Sequence, residues 1–264
     1  MPSAADVDLV HTRWTALCAR IEVVPQRQCQ QWWDRLVEAY EGPGRHYHTL
    51  KHIEELLLVA QRHLAEISDQ SAVELAIFFH DIVYDAKHGG GGKNERDSAA
   101  VFGEFLQDAH PQNFSGSDKV HRWIVATKDH MCAADDEWDM KLFMDFDMAI
   151  LAAPEVAYNE YAHNVRQEYG HLSTLAWCYG RSRFLSAFAE NTEARIFATS
   201  SFYAQSEAVA RANARREAAS LRHRGMLILG GGVAALVVLV VAVLLARANW
   251  WGSSRRGIGH AKQG

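Results

Sequence analysis

Apolar and polar positions along the chain follow helical spacing from near the start. Val10, Trp14, Leu17 and Ile21 recur at intervals of three and four. Cys29, Trp33, Leu36 and Tyr40 repeat the pattern, with Pro25 near the start of their helix. Leu50, Ile53, Leu57, Ala60, Leu64 and Ile67 form a third stripe, and Tyr158, Tyr161, Val165 and Tyr169 another, after Pro154 in a first turn. No convincing period-two alternation and no internal repeat interrupt this reading. The pattern predicts an all-α domain over residues 1–200, then a polar helix rich in Ala, Arg and Glu over 201–224.

Residues 225–246, "GMLILGGGVAALVVLVVAVLLA", carry no charged or strongly polar side chain. A bilayer takes about 20 helical residues to cross, so the run is expected to be a single C-terminal transmembrane helix. Residues 247–264 would be a short polar tail, with Trp250 and Trp251 suited to the membrane interface. Arg211, Arg215, Arg216, Arg222 and Arg224 lie before the run, against Arg247, Arg255, Arg256 and Lys262 after it. That slight excess, with no secretory signal at the N-terminus, leans towards a single-pass protein whose larger domain is cytoplasmic.

Composition narrows the function classes. A formal charge of −5 over 264 residues argues against stable nucleic-acid binding. Cys18, Cys29, Cys132 and Cys178 are scattered without metal-type spacing, and free thiols are expected. "AKHGGGGKN" at residues 86–94 fails the phosphate-loop pattern, since Asn94 follows Lys93 and Lys87 stands where the first Gly belongs. A loop between helices is expected there.

The chemistry concentrates in three stretches. "SAVELAIFFHDIVYD", residues 71–85, is apolar round most of a helix, with His80 and Asp81 expected in its middle. A buried carboxylate costs several kcal/mol unless it is paired or bound to a metal. "RHYHTLKHIEELL", residues 45–57, adds His48 and His52, and "KLFMDFDMAIL" sets Asp145 and Asp147 inside another apolar run. Two imidazoles and two carboxylates from three helices would suit Mn²⁺, Fe²⁺, Co²⁺, Ni²⁺ or Zn²⁺ better than Ca²⁺. No cysteine joins the set, which argues against a structural zinc.

The order His … His-Asp … Asp on a helical scaffold resembles the HD superfamily of metal-dependent phosphohydrolases. The words "YHTLKHI", "HDIVYD…NERDSA", "ATKDH" and "DFDMAIL" look like an uncharacterised bacterial branch of predicted phosphohydrolases in it. The likeness runs from Arg45 to past Arg181, and the membrane run is an addition to the family core. The resemblance implies an HD-type helical bundle and a divalent ion, with Mg²⁺ added to the metals above. Its ligands would be His52, His80, Asp81 and a last aspartate, Asp147 in preference to Asp145. "YHTLKH" also resembles the YHNxxH motif of cyclic-nucleotide phosphodiesterases, which makes His48 a general-acid candidate. Thr49 stands where those enzymes carry Asn, and Tyr84 where some 5′-nucleotidase relatives carry Glu.

The implied reaction is attack of metal-activated water on a phosphate ester of a nucleotide or similar small molecule. Asp81 would hold the metal and orient the water, and His48 would protonate the leaving oxygen. Glu95 is a candidate base or outer ligand, and Lys128, His130 and Asn94 are candidate substrate-binding residues. Arg166, Glu168, Arg181 and Arg183 suggest a salt-bridge network or a phosphate rim, with Asp85 nearby. Two other classes remain open. One is a non-catalytic metal- and nucleotide-binding sensor at the membrane; the other is a di-iron oxygenase on an HD scaffold, using Glu95 and His130 as extra ligands.

Overall fold

The first two stripes meet in the aromatic heart of the protein. In the computed structural model, α1 (Ala4–Arg20) and α2 (Arg27–Tyr40) bury Trp14, Leu17, Trp32 and Leu36 almost completely. The Trp14 ring meets Phe78 edge-on at 5.1 Å, and Trp32 meets Phe105 edge-on at 5.5 Å. Each such ring stabilises the fold by about 2 kcal/mol through burial, with a further increment from edge-to-face geometry. The structure describes residues 4–191 and 193–256, and side chains over 8–191 and 193–231. Among these residues ten α-helices and no strand are present, so the fold is all-α.

Following α3 (Leu50–Arg62) comes α4 (Gln70–Phe79), where every residue from Ala72 to Phe79 is buried. A helix apolar all round has no face to give to water, so it takes the centre. It contacts α1, α3, α5 (Lys93–Ala109), α6 (Ser117–Ala126) and α7 (Trp138–Met148). Asp69 caps its start by accepting the Ala72 N–H at 3.0 Å.

Its end corrects the expected helix over residues 71–85: α4 stops at Phe79, so His80 and Asp81 follow the helix instead of sitting in its middle. The reason lies in distant side chains that take the terminal carbonyls. Tyr40 Oη donates to Phe78 O at 3.0 Å, while Arg45 donates to Asp81 O at 2.7 Å and Ile82 O at 2.8 Å. Ser98 of α5 pairs with both the N–H and the carbonyl of Val83. The third stripe also ends early. α3 closes at Arg62, a 3₁₀ turn covers Leu64–Glu66, and Leu64 is exposed.

The glycine-rich stretch joins α4 to α5 as a loop, held by specific contacts. Asp85 accepts the N–H groups of Lys87 and His88. Gly92, at φ +76°, opens α5 with the Lys128 chain lying across it, so close that an added Cβ would stand 2.5 Å from Lys128 Cδ.

The last three helices carry the packing past residue 200. α8 (Glu155–Glu168) and α9 (Thr174–Glu190) precede α10 (Ser200–Arg256), whose first half belongs to the fold. Ala210, Ala214 and Ala218 are fully buried, and the last two share a small core with Leu185 and Ala189 of α9. Several of the arginines expected to flank a membrane are engaged with the fold. Arg211 pairs with Glu207 and donates to Phe188, Ala189, Asn191 and Ala194 carbonyls, satisfying the C-terminus of α9. Arg215 also donates to Ala189 O, and Arg222 to Ser186 Oγ.

Among the described residues no helix is long and apolar enough to cross a membrane. The expected span lies outside the described side chains from residue 232 onward, and residues 257–264 of the expected tail lie outside the description altogether. Cys18, Cys29, Cys132 and Cys178 are free thiols.

Candidate metal centre

The early end of α4 frees His80 to turn inward. Its Nδ1 donates to Ile77 O at 2.9 Å, which fixes the tautomer and leaves Nε2 facing the centre. His52, in the first turn of α3, brings its Nε2 to 3.3 Å from His80 Nε2. Asp81 Oδ2 stands 3.1 Å from His80 Nε2 and 4.0 Å from His52 Nε2. Asp147, near the end of α7, places Oδ1 3.2 Å from His52 Nε2 and 3.8 Å from His80 Nε2. Both imidazoles are buried, and the carboxylates are partly exposed.

Two ligand atoms about 2.1 Å from one ion stand about 3 to 3.5 Å apart at ordinary bond angles. His52, His80 and Asp81 bring three N/O donor atoms within 4.8 Å of one another, and Asp147 stands against both imidazoles. Protons can also hold such a cluster together. Burial opposes a charge on His80, but Asp81 and Asp147 outweigh it and raise its pKa to about 9. Burial likewise pushes both carboxyls up, and the surrounding imidazoles overcome it, holding Asp81 and Asp147 below the usual carboxylate range. An ion taking the place of those protons would meet ligands already brought together.

Asp145 is excluded from the cluster by its own bonds. It accepts from Ala198 N at 2.6 Å, Thr199 N at 2.8 Å and Thr199 Oγ1 at 2.5 Å, anchoring the segment before α10. Two residues along a helix point roughly 200° apart, so Asp145 and Asp147 serve different neighbours.

His48 sits just before α3 and is organised by Glu168, the last residue of α8. Glu168 Oε1 accepts the N–H groups of His46, Tyr47 and His48 at 2.8, 2.8 and 3.0 Å. Its Oε2 accepts from His48 Nδ1 at 2.8 Å, leaving His48 Nε2 3.8 Å from Asp81 Oδ2. The Tyr84 ring stacks on the imidazole at 4.0 Å. Burial disfavours the His48 cation, yet Asp81 and Glu168 raise its pKa above the ordinary value. Burial also raises the Glu168 carboxyl, but the His48 hydrogen bond and charge bring it down to about 2.

The remaining candidates divide. Glu95 lines the cavity beside the centre, and its Oε2 is buried without a hydrogen-bond partner. Lys128 lines it too, half exposed and 3.3 Å from Asp129. His130 donates from Nε2 to Asp147 Oδ2 at 2.7 Å, so it meets the centre through that carboxylate. Asn94 is turned away from the expected substrate role: its amide oxygen accepts Asp85 N at 3.0 Å and its nitrogen lies 3.4 Å from Asp85 O.

The expected rim of charges also separates. Arg181 is paired with Glu217, Arg166 donates to Tyr169 and Leu172 carbonyls, and Arg183 reaches only the Tyr179 hydroxyl. Arg45 carries no sequence signal for a place in the site, and Glu168, expected in a salt-bridge network or phosphate rim, pairs instead with His48. One signal for Glu168 was available, since an acid on the last turn of a helix opposes the helix dipole unless partners hold it there.

The cavity measures about 650 Å³, within the range of small-molecule sites. His48, Asp81 and Asp147 contribute to its wall, with His52 and His80 buried behind them. Neither protein-family models, nor curated proteins, nor solved structures give a match to this chain.

Proposed function

We propose that this chain is a metal-dependent phosphohydrolase of HD type, cleaving a small phosphate ester such as a nucleotide and tethered to a membrane by residues 225–246. The observation that carries the reading is the convergence of His52, His80, Asp81 and Asp147 donor atoms beside a cavity that also receives His48. A divalent ion held by those four residues would supply positive charge against the phosphoryl oxygens and make water more acidic.

The chain's own groups complete the chemistry. Glu168 holds the His48 Nδ1 proton, so Nε2 is the atom that offers a proton towards the cavity. As water oxygen bonds to phosphorus and the ester P–O bond breaks, the leaving oxygen takes the Nε2 proton. Glu95 Oε2, which has no internal partner, can accept a proton from the attacking water. Lys128 supplies a mobile cation for the remaining phosphate charge.

Phosphate release by the full chain in lipid nanodiscs, with Mn²⁺, Co²⁺, Ni²⁺ or Mg²⁺, tests the reading. The substrates are nucleoside mono-, di- and triphosphates and cyclic dinucleotides. Metal-dependent release that falls at least a hundredfold in Asp81→Ala is the expected result. Bound metal with no release from any ester defeats it. Oxygen-dependent turnover with iron would point to an oxygenase, and metal-dependent nucleotide binding alone to a sensor.

A further inference from the structure

We infer that the phosphate ester taken by this site carries a long apolar chain: the substrate is an amphiphile. The inference rests on the phosphohydrolase reading above and departs from its nucleotide example.

Charged groups surround the metal centre, but the cavity continues over a different kind of surface. Leu151, Val165, Leu172, Trp177, Leu185 and Phe188 line it from α8, α9 and the segments beside them. Of the polar side chains in this part, Arg181, Tyr161 and Tyr169, the first two are already joined: Arg181 donates to Tyr161 Oη at 3.2 Å and to Glu217 at 3.1 Å. A nucleobase brought against this lining would leave edge donors and acceptors unmatched, a penalty that an alkyl chain does not incur.

A glycine opens the space. Gly180 lies within α9 and lines the cavity, and a Cβ added there would meet nothing within 4 Å. Gly180 is itself exposed, so the room it leaves lies on the open side of the cavity, where a larger side chain would narrow the entry. Phe184, one turn further along α9, lines the cavity yet is 59% exposed, which places it at the mouth.

The same helix leads to the apolar run. Gly225 is buried against α9, where an added Cβ would stand 3.5 Å from Cys178 Cβ. Met226, Leu227, Ile228 and Leu229 then follow with exposed side chains. The stretch expected to meet a bilayer thus begins beside the helix that walls the cavity, between its lining residues Trp177 and Gly180. An amphiphile dissolved in that bilayer would reach the cavity with its chain already out of water.

The test uses the full chain in nanodiscs with Mn²⁺. Binding of ethyl-, butyl-, hexyl- and octylphosphonate is measured by calorimetry, with AMP as the nucleotide comparison, and phosphate release is followed from the matching alkyl phosphates. Affinity should rise about two- to fourfold per added methylene, since each buried CH₂ is worth up to that factor. Gly180→Leu, which fills that room, should cut the octyl-to-ethyl affinity ratio at least tenfold. Partition into lipid is the same for both proteins and cancels in that comparison. Ala176→Leu, on the same lining, serves if Gly180→Leu does not fold by circular dichroism.

A series flat in chain length, a ratio unchanged by either variant, or AMP binding more tightly than octylphosphonate would overturn the inference. Chain-dependent binding without phosphate release would sink the hydrolase reading and leave the apolar pocket standing. Release without chain dependence would do the reverse.

Discussion

Two carboxylates on one helix show how similar sequence context separates into structural and chemical use. Around Asp145, the segment leading into α10 presents two backbone N–H groups and the Thr199 hydroxyl. None of these donors titrates in the ordinary pH range, so the carboxylate is matched by partners that are always there. Around Asp147, the partners are the imidazoles of His52, His80 and His130, whose protons can leave. A region built from permanent donors holds the fold. A region built from exchangeable ones can trade its protons for another cation.

The largest effect should come from breaking the first region. Asp145→Ala removes the acceptor for three donors at once, and the buried Thr199 groups cannot recover it from water. A loss of about 3–5 kcal/mol is expected, read by urea unfolding. A loss under about 1 kcal/mol would mean that the junction before α10 finds other partners.

Next comes occupancy of the second region. Mn²⁺ at a hundredfold excess over its Kd should raise stability by about 2.7 kcal/mol, and chelator should reverse the gain. Asp147→Ala should abolish the gain, while the Asp145 variant, where enough remains folded, should keep it. Equal stabilisation of wild type and Asp147→Ala would place the ion elsewhere.

Much of this division was legible in the sequence, for reasons that also mark its limits. Stripes such as Val10, Trp14, Leu17 and Ile21 became buried helix faces because their spacing follows directly from helix geometry. His52, His80 and Asp81 were visible because polar groups interrupt apolar runs there. The stop of α4 is hidden in the sequence, since Tyr40, far back in the chain, takes a carbonyl of its last turn and Arg45 takes carbonyls just beyond it. Glu168 stands in the sequence among charges that suggest a salt-bridge network or a phosphate rim, and its backbone partners at residues 46–48 are more than a hundred residues away. The first half of α10 was read as a polar lead to the membrane, although Ala210, Ala214 and Ala218 repeat every four residues. Alanine says little about burial by itself; the close approach of α9 decides it.

Glu168 sharpens the comparison because it belongs to both kinds of region, with three permanent donors on one oxygen and His48 on the other. Its pKa is lowered to about 2 from an ordinary 4.5. Its contribution is therefore present in full above about pH 4.5 and drains away as pH falls through about 2. The shift corresponds to about 3–4 kcal/mol. Glu168→Gln should be less stable than wild type by about that amount at pH 7, with the gap narrowing as the pH is lowered towards 3. A gap independent of pH would show that the carboxylate charge is not what stabilises the turn before α3.

The smallest effect should come from Asp147→Asn without metal, and it is the sharpest test of the comparison. At pH 8 the amide keeps the shape of the carboxylate and offers both a donor and an acceptor to the three imidazoles. The change also removes a negative charge that stands against Asp81, a repulsion felt in the Asp81 carboxyl itself. Against this, His80 loses one of the carboxylates that favour its proton and can respond by releasing it. The lost pairing with the imidazoles outweighs the relief, so unfolding free energy should fall by about 1–2 kcal/mol, well short of the Asp145→Ala loss, while Mn²⁺ affinity falls at least a hundredfold. A loss as large as that of Asp145→Ala would make the imidazole–carboxylate cluster a structural ion-pair network. A modest stability loss with lost metal affinity is what a site built for exchange requires, because a fold that depended wholly on its protons could not give them up.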